Sequence, residues 1–340
     1  MVRNGGASGG RCFVGVAGPS SSAGKAVIAL WIAASVAAIG LVLAWPLGTY
    51  TVSLALFGLA HVAYEFRYVD QRFGKPLFGA VRTLIGLLVL VAVSRTAGVL
   101  GAPKAWTSPL EIGLVIALAG TPIVLFPAMT FRQKIPAVLG AGVLALTSVV
   151  FPTVLMSVLA ILHNLTPMGF LAEVLEGPGR RRYLLLAAVL MFGVPVLIAS
   201  GVLQPWILGN PDISPITPGP LAAHLQAYLA KDWHSQPWAT HLFQAAVYGQ
   251  LVHYVCTIVL LPRIGRDLPS QPSLRWPSPT AFAGAVAVGT VLLMIGYWTD
   301  FSGARQVYGI AAAMHAWIEI PLLLAVAGGW NREMRGFVVA

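Results

Sequence analysis

Charged residues are scarce: Asp, Glu, Lys and Arg make up 9% of the 340 residues while 57% are hydrophobic, against roughly 25% and 45–50% in an ordinary soluble domain. A water-facing surface cannot be assembled from that composition, so a soluble globular domain is excluded. Cysteine is nearly absent too. Cys12 and Cys256 stand alone without a C-x-x-C, so neither a disulfide framework nor a thiolate metal site is expected. There are 11 acidic residues against 21 basic ones, giving a net charge of +10. The basic residues fall in short clusters between apolar runs, which fits lipid topology and gives no nucleic-acid patch. No internal repeat is present, nor a Gly-rich phosphate loop between a strand and a helix, so phosphoryl transfer has no support. Glycine (36) and proline (24) are plentiful but aperiodic, and both are tolerated in membrane helices.

What is there is a series of long apolar runs. A helix crossing ~30 Å of hydrocarbon needs about 20 mainly apolar residues. Such segments lie at 26–46, 50–69, 79–99, 110–129, 135–150, 152–172, 183–204, 238–261, 279–298 and 306–328. The expectation is an all-α, polytopic transmembrane bundle of about ten helices in one domain over 25–330. A flexible Gly/Ser-rich tail over 1–24, rather than a cleaved signal peptide, and a second tail over 331–340 flank it. The 135–162 stretch is nearly continuous, with only Pro152 to break it, so one long kinked helix and nine spans is the competing count. Lys and Arg prefer cytoplasmic loops. Ten spans with both termini inside, as in a bacterial inner membrane, put seventeen basic residues on the cytoplasmic side and leave Arg95, Lys104, Lys231 and Arg305 outside. The longest non-helical stretch, 205–237, then falls outside, as a cap or a short interfacial helix. Arg67, Asp70 and Arg72 read as a solvated cytoplasmic turn.

Ionisable side chains within the bilayer are costly, about 2.5–3.5 kcal/mol at the centre on insertion scales, so each marks a candidate site. Here they concentrate on four even-numbered spans: His61 with Glu65, His163 with Asn164, His241 with His253, and His315 with Glu319. Counted from the same end of their spans, His61, His163, His253 and His315 lie about 9–15 residues deep, within roughly one and a half turns of a common level. Four imidazoles on four helices can therefore converge on one metal ion. His61-x-x-x-Glu65 recurs as His315-x-x-x-Glu319, and residues four apart share a helix face. Each glutamate can thus join its histidine at a metal or hold the second ring N–H. Such a donor set suits iron, copper or zinc. A buried histidine can instead make a plain helix-to-helix hydrogen bond, and each glutamate can pair with Arg67 or Arg82. His241 reads as interfacial, His224 and His234 as solvated, Asn164 as a hydrogen-bond partner of the site, and Tyr254 and Trp317 as packing.

At these residues the sequence resembles the Brp/Blh family of membrane-bound carotene dioxygenases. The family's first motif, roughly Gly-Leu-Pro-His-Gly-Ala-Leu-Asp, is met by Gly58-Leu59-Ala60-His61 with Glu65 in place of the aspartate. Its last, roughly Leu-Pro-His followed by Glu, is met by Ala313-Met314-His315 running to Glu319, and a Tyr five before a His by Tyr248 and His253. Thr257 stands where the family usually has a further histidine, His163 has no aligned motif, and the likeness covers about a tenth of the chain. The resemblance implies His61, His253 and His315 as ligands of Fe(II) in an oxygenase that takes O₂ and a lipophilic substrate such as β-carotene from the bilayer. Two other classes share the residue pattern: a b-type haem electron carrier and a proton- or cation-coupled transporter.

Overall fold

The computed structural model describes residues 22–330 except 76, 127–128, 176–178, 207–208, 217, 265–269 and 271. Both expected tails, with Cys12 and the basic residues Arg3, Arg11, Arg332 and Arg335, fall outside the described residues, save that Ser22–Gly24 already belong to the first helix. The helices are α1 Ser22–Ala44, α2 Pro46–Phe73, α3 Phe78–Val99, α4 Lys104–Val124, α5 Phe131–Val150, α6 Pro152–His163 and α7 Thr166–Val174, then α8 Arg180–Ala199, α9 Ala239–Ile264, α10 Pro279–Thr299 and α11 Phe301–Ala327. The protein is an all-α bundle, and among the described residues nine helical segments are long and apolar enough to cross a membrane, with α6 and α7 counted as one. The remaining helix, α1, supplies a shorter apolar stretch, Ile28–Ala44. Pro152 separates α5 from α6 at Phe151, whose φ of −137° and ψ of 57° end the helix, so the single kinked helix over 135–162 does not form.

Prolines explain the other irregularities. A proline removes the bond to the carbonyl four residues back and crowds it. Pro195 follows a π-turn at Val189–Gly193, and Pro262 follows one at Cys256–Leu260. Pro167 breaks 152–172 into α6 and α7, and the His163 carbonyl it would otherwise have capped accepts from Thr166 Oγ1 at 2.7 Å. Breaks thus fall directly after His163 and about one turn beyond His253.

The three helices carrying most candidate residues are the interior ones. The apolar windows of α9, α2 and α11 are 72%, 61% and 50% buried, against 11% for α5 and α10. Two ion pairs lock this core. Arg95 of α3 reaches Glu111 of α4 at 2.7 Å and the Gly309 carbonyl of α11 at 3.2 Å, while Trp317 Nε1 donates to the same Glu111 oxygen at 2.9 Å. Arg72 of α2 grips Glu173 of α7 at 2.5 Å, with Glu173 wholly buried. The expected solvated turn is therefore built differently. Asp70 accepts from Ser273 N and Oγ, Leu274 N and Trp276 Nε1 of the α9–α10 connection. Arg67 lies 4.6 Å over the Phe282 ring. The α9–α10 connection folds back onto the end of α2 and leaves these half-buried charges bonded to protein.

The 205–237 stretch does form a cap. Its short helical turns bury Leu221, Leu225 and Leu229, and Ser214 meets Thr51 of α2 at 2.7 Å. His224 is not solvated: its exposure is 2%, because Nε2 donates to the Pro218 carbonyl at 2.8 Å and Nδ1 accepts from Arg305 at 3.3 Å. Burial, with Arg305 adding to it, lowers the pKa of this imidazole.

Candidate metal centre

His61 of α2, His163 at the end of α6, His253 of α9 and His315 of α11 converge in the middle of the bundle. One donor atom from each lies within 4.8 Å of all the others. His61, His253 and His315 are at most 2% exposed, and the His163 side chain is 15% exposed. Close backbone approach makes this possible. Gly249 sits one turn before His253 and faces Asn164, where a Cβ would come within 3.3 Å. A larger residue there would push α9 away from the α6 end that presents His163.

The ring nitrogens are arranged as donors to a cation. His61 Nε2 is 3.1 Å from His315 Nε2, which is 3.0 Å from His163 Nε2. His61 Nδ1 lies 3.3 Å from the Phe57 carbonyl, which can only accept, so the proton belongs on Nδ1. His163 Nδ1 is 2.7 Å from Glu319 Oε2, again an acceptor when ionised. His315 Nδ1 is buried without a hydrogen-bond partner. With the His61 and His163 protons on Nδ1, their Nε2 lone pairs face His315 Nε2, which can meet them as an N–H donor or, with its own proton on Nδ1, join them as a third lone pair around a cation. Metal–nitrogen bonds of about 2.0–2.1 Å hold neighbouring ligand nitrogens roughly 2.9–3.4 Å apart, and the observed contacts fall in that interval. The four histidines form a buried group able to hold a metal ion.

The glutamates belong to the same cluster. Glu319 fixes the His163 ring, and Glu65 Oε2 is 3.3 Å from His253 Nε2. Neither pairs with Arg67 or Arg82, the plain alternative raised by the sequence. Tyr254 is more than packing beside a ligand: its ring lies 4.2 Å from that of His61 at 30°, and its hydroxyl bonds Tyr308. Asn164 does not bond a histidine; its amide reaches the Ala160 carbonyl at 3.4 Å, because the end of α6 turns it along its own helix. His241 stands apart against Gly201, and half-buried His234 bonds the Leu229 carbonyl.

Glu111, Glu173 and the Tyr228–Gln250–Ser53 chain, in which Gln250 donates to Ser53 Oγ at 3.0 Å and accepts from the Tyr228 hydroxyl, were not singled out from the sequence. For the two acids the signal was present. Both lie within or at the edge of apolar runs, where any ionisable group marks a partner. Compared with protein-family models, with curated proteins and with solved structures, the chain matches none.

Proposed function

We propose that this protein is an integral membrane non-haem iron oxygenase acting on a lipophilic substrate, with carotenoid cleavage as the model reaction. The observation that carries the reading is the convergence of His61 Nε2 and His163 Nε2 on His315 Nε2, at 3.1 and 3.0 Å, with the Nδ1 atoms of His61 and His163 facing acceptors on the other side. His61, His163, His253 and His315 would hold the metal, and bound Fe(II) supplies redox chemistry with O₂. Glu319 keeps the His163 ring oriented and its Nε2 unprotonated. The apolar bundle excludes water. Leu56 and Phe57 face outward at 41% and 43% exposure; the Phe57 ring is 6.5 Å from Tyr254, which covers His61. An apolar substrate would reach the centre from lipid over this aromatic face. Haem fits poorly, because axial histidines face each other across a macrocycle, and nitrogens 3.0–3.1 Å apart leave it no space.

Elemental analysis of the purified protein, followed by incubation with β-carotene and O₂, tests the reading. We expect iron without a Soret band, and O₂-dependent formation of an aldehyde product. Protein that binds zinc alone, or turns over no carotenoid with iron bound, would remove the oxygenase assignment.

The seventeen-to-four charge split further supports both termini cytoplasmic in a bacterial inner membrane, with the 205–237 cap outside. In a Cys12→Ser background, Ser235→Cys should react with an impermeant maleimide added to intact cells, and Arg181→Cys should react only after lysis. The reverse pattern would invert the topology.

A further inference from the structure

Beside His315 and the two histidines that it contacts lies a second group of donors that they leave unsatisfied. Glu65, His253 and Glu319 are 1%, 0% and 0% exposed. Both carboxylate oxygens of Glu65, Oε1 of Glu319 and both ring nitrogens of His253 have no hydrogen-bond partner. The two carboxyl groups interact electrostatically with each other, and Glu65 Oε2 is 3.3 Å from His253 Nε2. Among the described residues, no arginine or lysine bonds either carboxyl. Two carboxylates side by side in a dry interior repel, and each unpaired oxygen carries its full desolvation penalty.

A single proton shared between Glu65 and Glu319 would quiet one oxygen pair. It would leave a further carboxylate oxygen and the His253 ring without partners. A divalent cation accepts all of these donors at once. We infer that the centre holds two cations that divide the four histidines between them: one on Nε2 of His61, His163 and His315, and a second on Glu65, the free oxygen of Glu319 and His253, which the single-metal reading counts with the other three histidines. The mixed carboxylate–imidazole set suits Fe(II), Mn(II) or Zn(II). Glu319 ties the positions together, since its other oxygen holds the His163 ring. A paired site also accounts for the repeated His-x-x-x-Glu spacing, because each of α2 and α11 then contributes one histidine to the first ion and one glutamate to the second.

This inference rests on the metal-centre reading of the proposed function, and metal stoichiometry separates the two. The full chain, in detergent or nanodiscs, is loaded with Mn(II), freed of excess ion, and measured for metal per chain and by electron paramagnetic resonance. The expected result is two Mn(II) per chain with the signature of an exchange-coupled pair. Glu65→Gln should bring the count to one, with the hyperfine pattern of an isolated ion. One ion per wild-type chain, unchanged in Glu65→Gln, would overturn the second site in favour of a shared proton while leaving the first. No bound metal at all would overturn both. The wild-type count and spectrum decide the matter by themselves if the variant fails to fold.

Discussion

His315→Ala should abolish metal binding while leaving the bundle folded. His315 Nε2 is the one nitrogen in contact with both of its neighbours, 3.1 Å from His61 and 3.0 Å from His163. Removing it takes away the shared vertex of the cluster. Losing a group that merely orients a ligand lowers metal affinity about 10- to 100-fold, so losing this ligand should lower it by more than about 100-fold. Elemental analysis at fixed free metal provides the number, and far-UV circular dichroism with size-exclusion chromatography checks the fold. His241→Ala is the matched control, because His241 packs on Gly201 away from the cluster and should keep full occupancy. Added imidazole should partly restore metal to His315→Ala by filling the vacated volume. A His315→Ala protein that retains its metal would show that the other histidines bind without it, and the centre as described would fail.

The recurrence of His and Glu at a spacing of four was enough to place Glu65 with His61 and Glu319 with His315, because a helix face is dictated by its period alone. Depth was equally readable: the common level of four histidines follows from residue counts along straight helices. What periodicity could not give is the direction each ring takes. His163 ends α6 at a proline-induced break, and a π-turn begins about one turn beyond His253. The two glutamates have identical spacing yet different partners. Glu319 bonds His163 across the bundle and Glu65 faces His253, a difference set by which helix packs opposite. His224 illustrates a second limit. In a loop it reads as solvated, and only the folding of the cap over α2 and α11 places Arg305 beside it. Asp70 was misread for the same reason, since its four donors come from a segment more than 200 residues away.

Glu111→Ala should be the most destabilising change outside the metal cluster. Glu111 Oε1 accepts Arg95 Nε at 2.9 Å, Arg95 Nη2 at 2.7 Å and Trp317 Nε1 at 2.9 Å. Truncation leaves a guanidinium in an apolar setting without its counter-charge and orphans the indole N–H. Removing one partner of a buried pair costs about 3–5 kcal/mol. The guanidinium side chain is 31% exposed, so water softens the loss and the cost should fall toward the lower end of that range. Trp317 is two residues beyond His315 on α11, so the loosened indole should also weaken metal binding, by less than the loss of a ligand. Thermal unfolding in detergent, followed by tryptophan fluorescence and by metal release, measures both effects. The double variant Arg95→Met with Glu111→Leu distinguishes charge from packing: an apolar replacement of similar volume removes both burial penalties and should recover most of the stability. An unfolding temperature for Glu111→Ala equal to that of the wild type would show that α11 holds its register, and His315 its position, without this ion pair.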